Sequence, residues 1–291
     1  MALSRRLRNS MDVRPDEGSN EKPKRIIFLS VEGNVTEKNY LNLVNKYRTQ
    51  LGIRSVVHIE TLSRGKDTCS DPKSVLGLLE DYLEIRDEGI LPEDVNSVLS
   101  EAGQEDYSLV QIQQYLGGKL DGKDSFKFNR ALKLAGIDLD YQKFLSEYNG
   151  EDDVFGVVID RDQENHTEET LTELQTKCAE KGRCYCFITN PCFEFWLLMH
   201  VCDVKIEYKN MYSDILKNEK ISGKHTFVSK ELSEKAGHSK RISEKKFKEC
   251  YLPNVDTAIE RARDFEQTEE GLLQNIGTNL PQLFQILREE L

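Results

Sequence analysis

The run Ile26-Ile27-Phe28-Leu29-Ser30-Val31-Glu32-Gly33-Asn34-Val35-Thr36-Glu37 decides how the chain is read. Its opening residues are apolar apart from Ser30 and rich in β-branched side chains, the composition of a strand buried on both faces. Glu32 closes the run, Gly33 permits a sharp turn, and Glu37 falls in the first turn of a helix that follows. A second run, Val154-Phe155-Gly156-Val157-Val158-Ile159-Asp160-Arg161-Asp162, has the same order of parts: a short apolar strand that leads into carboxylates. Open parallel α/β sheets place their ligands just beyond the carboxyl ends of the strands. Carboxylates gathered there repel one another unless a cation joins them, and an all-oxygen site suits Mg²⁺ or Mn²⁺.

Outward from these runs, the chain alternates. Arg25 to Val31 reads as a strand, and Thr36 opens and caps a helix to about Gln50, with Tyr40, Leu41, Leu43, Val44 and Tyr47 at helical spacing. Ser55 to Glu60 is a second strand. Asp71-Pro72 starts a second helix, with Pro at the first helical position. Residues 88 to 151 break the pattern: acidic, weakly periodic, with turn signals at Gly117-Gly118 and Gly122 and helices expected at 106–116 and 125–148. The alternation resumes with strand 154–159, a helix near 167–181, strand Arg183 to Ile188 and an apolar helix from Asn190-Pro191 to about Cys202. A basic segment follows, and helices near 255–266 and 279–290 close the chain. This order implies an α/β fold: a mainly parallel sheet flanked by helices, carrying a helical acidic insertion. The expected divisions are a flexible arm at 1–23, a core in two parts at 24–87 and 152–203, the insertion at 88–151, and the basic segment with the C-terminal helices at 204–291.

The candidate site gathers acids from four places. Glu37, at a helix start, has an ordinary explanation in the helix dipole; Glu32, at the exit of a buried strand, has none. In an extended segment residues two apart share a side, so Asp160 and Asp162 would face one point while Arg161 points away. In Thr189-Asn190-Pro191-Cys192-Phe193-Glu194-Phe195-Trp196-Leu197-Leu198-Met199-His200, Glu194 is the one acid of an otherwise nearly apolar helix. A buried carboxylate is costly unless paired or metal-bound. His200 lies on another face and reads as a core or surface histidine.

Other chemistries are not represented. There is no Gly-x-x-x-x-Gly-Lys-Ser/Thr phosphate loop, no Gly-x-Gly-x-x-Gly turn, no zinc-spaced Cys/His cluster and no Gly-x-Ser-x-Gly elbow. Seven cysteines, an odd number without regular spacing, read as reduced core thiols of a cytoplasmic protein. No apolar run has the length of a membrane span, and the N-terminus has no signal-like apolar core. The net charge of −11 argues against a general nucleic-acid coat, but its distribution is uneven: residues 87 to 153 hold 15 Asp+Glu against 6 Lys+Arg, and residues 217 to 248 hold 10 Lys+Arg against 4 Asp+Glu. A basic segment on an acidic protein steers a phosphate-bearing ligand locally.

The motifs Glu-Gly-x-x-Thr-Glu-Lys-x-Tyr, the Asp-x-Asp strand end and Asn-Pro-Cys-Phe-Glu-x-Trp-Leu-Leu, with the closing Gly277-Thr278-Asn279-Leu280-Pro281-Gln282-Leu283, together resemble the RloB-like proteins over roughly 24–86 and 152–290. The resemblance implies a Toprim-like fold, the metal-binding module of topoisomerases, primases and OLD-type nucleases. It also implies antiphage defence beside an ABC-type ATPase. By resemblance, Glu32 matches the Toprim glutamate, Asp160 and Asp162 its Asp-x-Asp pair, and Glu37 and Glu194 the extra acids of two-metal nucleases.

The expected activity is therefore a Mg²⁺- or Mn²⁺-dependent endonuclease acting on DNA or RNA, tRNA among them, in abortive infection. Glu32, Glu37, Asp160, Asp162 and Glu194 would hold metal, with Glu32, Asp160 and Asp162 at the reacting centre. A lysine of the basic segment, Lys240 foremost with Lys224 and Lys245 as alternatives, would neutralise transition-state charge. Expected partners are nucleic acid, an ABC-type ATPase and a second copy of the chain, with no membrane. The rival readings are a non-catalytic Toprim-like subunit of a defence ATPase complex and a primase-like nucleotidyl transferase.

Overall fold

Continuous apolar runs form the sheet of the computed structural model, which describes residues 3–7, 23–33, 35–63, 71–101, 103, 107–147, 149–162, 166–237 and 241–290. The strands are β1 (Arg25–Val31), β2 (Val57–Thr61), β3 (Val154–Asp160), β4 (Cys184–Asn190) and the two-residue β5 (Gly277–Thr278). Their order is β2-β1-β3-β4-β5. β1 runs parallel to β2 and β3, β3 parallel to β4, and β5 antiparallel to β4. The protein is thus an α/β protein with a mostly parallel five-stranded sheet. All seven residues of β1 are buried, as an apolar run of this kind requires at the middle of a parallel sheet.

The described residues divide into two compact units, one within Met1–Glu17, Leu62–Cys69 and Gly77–Glu151, the other within Gly18–Thr61, Ser70–Leu76 and Asp152–Leu291. The larger unit holds the sheet. The helices that follow its strands are α1 (Thr36–Lys46) after β1 and α2 (Pro72–Glu88) after β2. Asp71 Oδ1 accepts from the N–H groups of Lys73 and Ser74 at 3.1 and 3.2 Å, which satisfies free donors at the start of α2. At α1 the expected Thr36 cap is not formed. Val35 is the capping residue and no side chain bonds the free amides, because the helix starts one residue earlier than the hydroxyl would need.

The smaller unit contains α2 from Gly77 onward, with α3 (Pro92–Glu101), α4 (Leu109–Leu116), α5 (Gly122–Leu134) and α6 (Leu139–Ser146). The single helix expected at 125–148 is two. Gly136 sits at φ 85°, where a helix cannot continue, and Asp138 caps the next helix by accepting from the Tyr141 N–H. Val98, Ile112, Phe128 and Leu132 form the centre of its core. Residues 3–7, which the sequence assigns to the arm, pack on this unit: Leu3 and Leu7 are buried and the Gln142 side-chain amide donates to Ser4 O at 2.7 Å.

In the larger unit, β3 is followed by α7 (Glu168–Glu180) and β4 by α8 (Phe193–Val201). α8 is apolar all round beyond Glu194 in its first turn and lies inside the core with Trp196 wholly buried, as a helix without a broad polar face must. Short helices then run through the basic segment: α9 (Val204–Glu207), α10 (Tyr212–Lys217), α11 (Phe227–Ala236) and α12 (Glu244–Lys246). α13 (Val255–Ala262) and α14 (Leu280–Arg288) complete the unit. The Gly277-Thr278-Asn279 segment closes the sheet beside β4. A β-carbon at Gly277 would overlap the Glu266 backbone, so only glycine fits. Asn279 then bonds β4 as a strand would, accepting from Ile188 N–H at 2.7 Å and donating to Cys186 O at 2.8 Å. Among the described residues no helix is long and apolar enough to cross a membrane.

Candidate functional site

The strand order creates the site. The connection from β1 leads to β2 on one side, and β3 lies on the other, so the chain changes direction across the sheet between β1 and β3. A crevice at the carboxyl ends of two such strands is where open α/β sheets take ligands. Glu32 leaves β1 here, its N–H still bonded to Val158 O at 3.0 Å. Its carboxylate is held at both oxygens: Oε2 accepts the Asp160 backbone N–H at 3.0 Å, and Oε1 lies 3.1 Å from His166 Nε2.

Asp160 ends β3. Its Oδ1 accepts the backbone N–H of Phe193, the first residue of α8, at 2.8 Å. The free amides and dipole of a helix N-terminus favour negative charge there. The surroundings act the other way. Burial, and then the charges of Glu37, Glu32 and Glu194, push the Asp160 carboxyl well above the ordinary carboxylate range. Four carboxyl groups from β1, α1, β3 and α8 therefore share one field.

Glu37 is buried in the first turn of α1, and its carboxyl folds back over Gly33, where any β-carbon would overlap it. The glycine thus leaves room for a carboxylate as well as for the turn. Glu194 lies in the first turn of α8, half-buried among fully buried neighbours. Burial raises the nearby Cys192 thiol, and the charges of Glu194 and Asp160 raise it further.

Asp162 behaves differently. β3 ends at Asp160, and with it the two-residue alternation that would align the two aspartates. Asp162 is not among the carboxylates that weigh most on Asp160, and its charge acts on Arg161 instead. Arg161 does point away from the acids. Its guanidinium is buried and donates to Leu273 O at 2.8 Å and His166 O at 2.6 Å, which ties the end of β3 to His166. Lys240 lies outside the described residues. Lys224 is exposed on a loop, and Lys245 pairs with Glu249 at 3.8 Å.

His166 is the member that the sequence did not single out. It follows Asp-x-Asp by a few residues, on no strand or helix whose period would flag it, and its ring meets the Glu32 carboxylate. His200, in contrast, is a core residue as expected. It bonds Tyr40 Oη at 3.1 Å and Trp196 O at 3.0 Å, and burial lowers it to about 3. The six described cysteines are free thiols.

Oxygen donors of this kind suit a hard divalent cation in chemistry. The observation that fits one is the Asp160 carboxyl, which burial and the charges of Glu37, Glu32 and Glu194 raise well above the ordinary carboxylate range. Among the described residues, however, no three His, Cys, Asp or Glu side chains are already arranged as metal ligands. Each oxygen that Glu32 and Asp160 give to a protein donor keeps a second lone pair, so these bonds orient the carboxylates without using them up.

The RloB-like protein family model matches residues 27–287, which spans most of β1 through most of α14 and every residue of the acidic cluster. No curated protein and no solved structure matches the chain. With the match covering nearly the whole chain, this protein belongs to the RloB-like family.

Proposed function

We propose that the protein is a metal-dependent nuclease that hydrolyses phosphodiester bonds of DNA or RNA, as an effector of antiphage defence. The observation that carries the reading is Asp160: a carboxyl at the β1–β3 switch point, raised by burial and by Glu37, Glu32 and Glu194 together. Such a concentration of like charge destabilises a fold unless it serves a cation or a reaction. Glu32, Glu37, Asp160 and Glu194 would hold Mg²⁺ or Mn²⁺, with Asp162 the outlying member of the set. The bound ion would polarise the phosphate and make water more acidic.

The chain's own residues supply positioning. His166 and the Asp160 amide fix the Glu32 carboxylate, and the Phe193 amide fixes Asp160. In the reaction, water oxygen bonds to phosphorus while the bond to the departing sugar oxygen breaks; one water proton passes to a carboxylate of the cluster, and the departing oxygen takes up a proton from solvent. A sheet of order β2-β1-β3-β4 with acids at the ends of β1 and β3 is in keeping with the Toprim-like module that the motifs resemble. The helices at 92–146 form the acidic insertion. The surplus of negative charge over 87 to 153 suits protein contact, an ABC-type ATPase or a second copy, better than contact with phosphate.

A second reading is favoured by one observation, the lack of a ready ligand set among the described residues. On that reading the protein is an idle subunit until a partner ATPase rearranges the acids. Purified full-length protein incubated with plasmid and with tRNA, with Mg²⁺, Mn²⁺ or EDTA, separates the two. Metal-dependent cleavage that Asp160→Asn abolishes supports the nuclease. No cleavage of either substrate alone, with cleavage on adding the ATPase, supports the idle subunit. Extension of ends when nucleotides are supplied would instead reveal a transferase.

A further inference from the structure

We propose that the loop Lys217-Asn218-Glu219-Lys220-Ile221-Ser222-Gly223-Lys224-His225 is a nucleic-acid backbone contact, which holds a strand against the acidic cluster through Lys217, Lys220 and Lys224. The inference rests on the nuclease reading and names the element that would hold its substrate.

Three observations carry it. The first is pairing. Most described cations of the basic segment are neutralised within the fold: Lys230 with Glu234, Lys235 with Glu207, Lys245 and Lys246 with Glu249, and Lys248 with Glu244. Lys217, Lys220 and Lys224 are exposed and form no ion pair among the described residues, and the loop holds a single carboxylate, Glu219.

The second is rigidity. The loop closes through a bridge between Lys220 and Thr226. Ile221 N–H and Ser222 N–H donate to His225 O at 2.9 and 3.1 Å, Phe227 N–H donates to Glu219 O at 3.0 Å, and Ser222 Oγ accepts from His225 N–H at 3.2 Å. Cations on a preformed loop lose little entropy when a ligand arrives. The tip has room for one, since nothing lies within 4 Å of a β-carbon built on Gly223, and Ile221 exposes an apolar side chain beside it.

The third is placement. Asn218 takes the left-handed conformation at φ 46°, which asparagine tolerates better than most residues. Its Oδ1 accepts from Val228 N–H at 2.9 Å, and its Nδ2 donates to Cys192 Sγ at 3.3 Å. Cys192 caps α8 immediately before Phe193, whose N–H holds Asp160. The root of the loop is thus tied to the residue adjoining the acidic cluster. Unpaired lysines beside a site that itself repels phosphate would offset that repulsion and bring the backbone within reach.

The test compares wild type with Lys217→Gln/Lys220→Gln/Lys224→Gln in the full chain. Fluorescence anisotropy in EDTA over a salt series, with labelled tRNA and with duplex DNA as separate probes, measures binding. Cleavage of the same probes with Mn²⁺ measures KM and kcat. Each phosphate contact contributes about 0.7 to 0.9 to the slope of log affinity against log salt. The triple variant should therefore lose about two units of slope on whichever probe binds, with KM raised about tenfold and kcat within about twofold. An unchanged slope overturns the inference while leaving the nuclease reading intact if wild type cleaves. Lost kcat at constant KM overturns it too, because the lysines would then act at the reacting atoms. Wild type that binds neither probe at low salt overturns both. Single Lys220→Gln and Lys224→Gln variants, each expected to lose about one unit of slope, repeat the measurement if the triple variant folds poorly. Asn218→Gly, which keeps the backbone conformation, should weaken binding without changing the slope, since it loosens the root and removes no charge.

Discussion

The Glu32 carboxylate accepts the backbone N–H of Asp160 at 3.0 Å, so the acid that ends one strand holds the backbone of the acid that ends its neighbour. The link fixes both groups at the switch point of the sheet and makes their charges interdependent. Substitutions at either position should therefore separate charge from hydrogen bonding.

Asp160→Asn keeps an acceptor for the Phe193 N–H and removes the charge that Glu37, Glu32 and Glu194 oppose. In EDTA its melting temperature should equal or exceed that of wild type, while cleavage falls at least about 100-fold, the scale of removing one transition-state contact. Asp160→Ala leaves the amide without its acceptor and should be less stable than Asp160→Asn by about 1 kcal/mol. Scanning calorimetry on the three proteins reads the order. An Asn variant clearly less stable than wild type would mean that the carboxylate is structural.

Gly33→Ala should reproduce Glu37→Gln. Gly33 does not need a positive φ, and the group in the way of a new methyl is the mobile end of Glu37. The new methyl displaces the carboxylate from its place over the turn. Titration calorimetry with Mn²⁺ should show equal losses of affinity in the two single variants and no further loss in the double. Glu32→Gln, at the strand exit, should lose more than either. Additive losses would place Gly33 and Glu37 in separate roles.

His166→Ala removes the partner that orients Glu32. Loss of such a supporting group lowers metal affinity about 10- to 100-fold. His166→Gln, which can still donate to Glu32, should recover part of it. A purely structural histidine would lower the melting temperature in EDTA and leave the Mn²⁺ affinity of the folded protein unchanged.

His200 predicts a pH dependence that involves no metal. Burial lowers its folded-state value from 6.5 to about 3. Between these values the unfolded chain binds a proton that the native state refuses, so stability rises with pH and is lost as pH falls from 6.5 toward 3. The limiting slope for one such group is about 1.4 kcal/mol per pH unit. Urea melts at pH 4.5, 5.5 and 7.5 should show this loss in wild type. His200→Gln should be less stable at neutral pH and should lose that share of the slope. A parallel profile in the variant would show that the histidine is protonated in the fold.

Gly156→Ala tests the sheet. A β-carbon there would lie 2.9 Å from Phe187 Cε2, 3.1 Å from Leu29 Cδ2 and 3.2 Å from Tyr185 O, all in the packed centre. Overpacking of this kind costs about 1–3 kcal/mol. Denaturant melts should show the midpoint fall with the slope unchanged.

The sequence by itself determined the four parallel strands, their helices and the edge of the sheet that carries the acids. A strand buried on both faces needs an uninterrupted apolar run, and such runs are legible wherever they stop at a charged residue, as at Glu32 and Asp160. Glu37 and Glu194 were legible for the same reason, each a carboxylate at a helix start directly after a strand. Tertiary structure decided the rest. β5 is two residues long, too short for any period, and exists because Gly277 can approach the Glu266 backbone and Asn279 can bond β4. The Gly136 break between α5 and α6 and the uncapped start of α1 depend on single backbone angles. His166, whose backbone Arg161 holds, meets Glu32 from far along the chain, and Asn218 reaches Cys192 across 26 residues of chain. A residue's own identity and spacing announce what it can do within its strand or helix. Which distant group it meets is set by the path of the backbone between them, and no local pattern encodes that path.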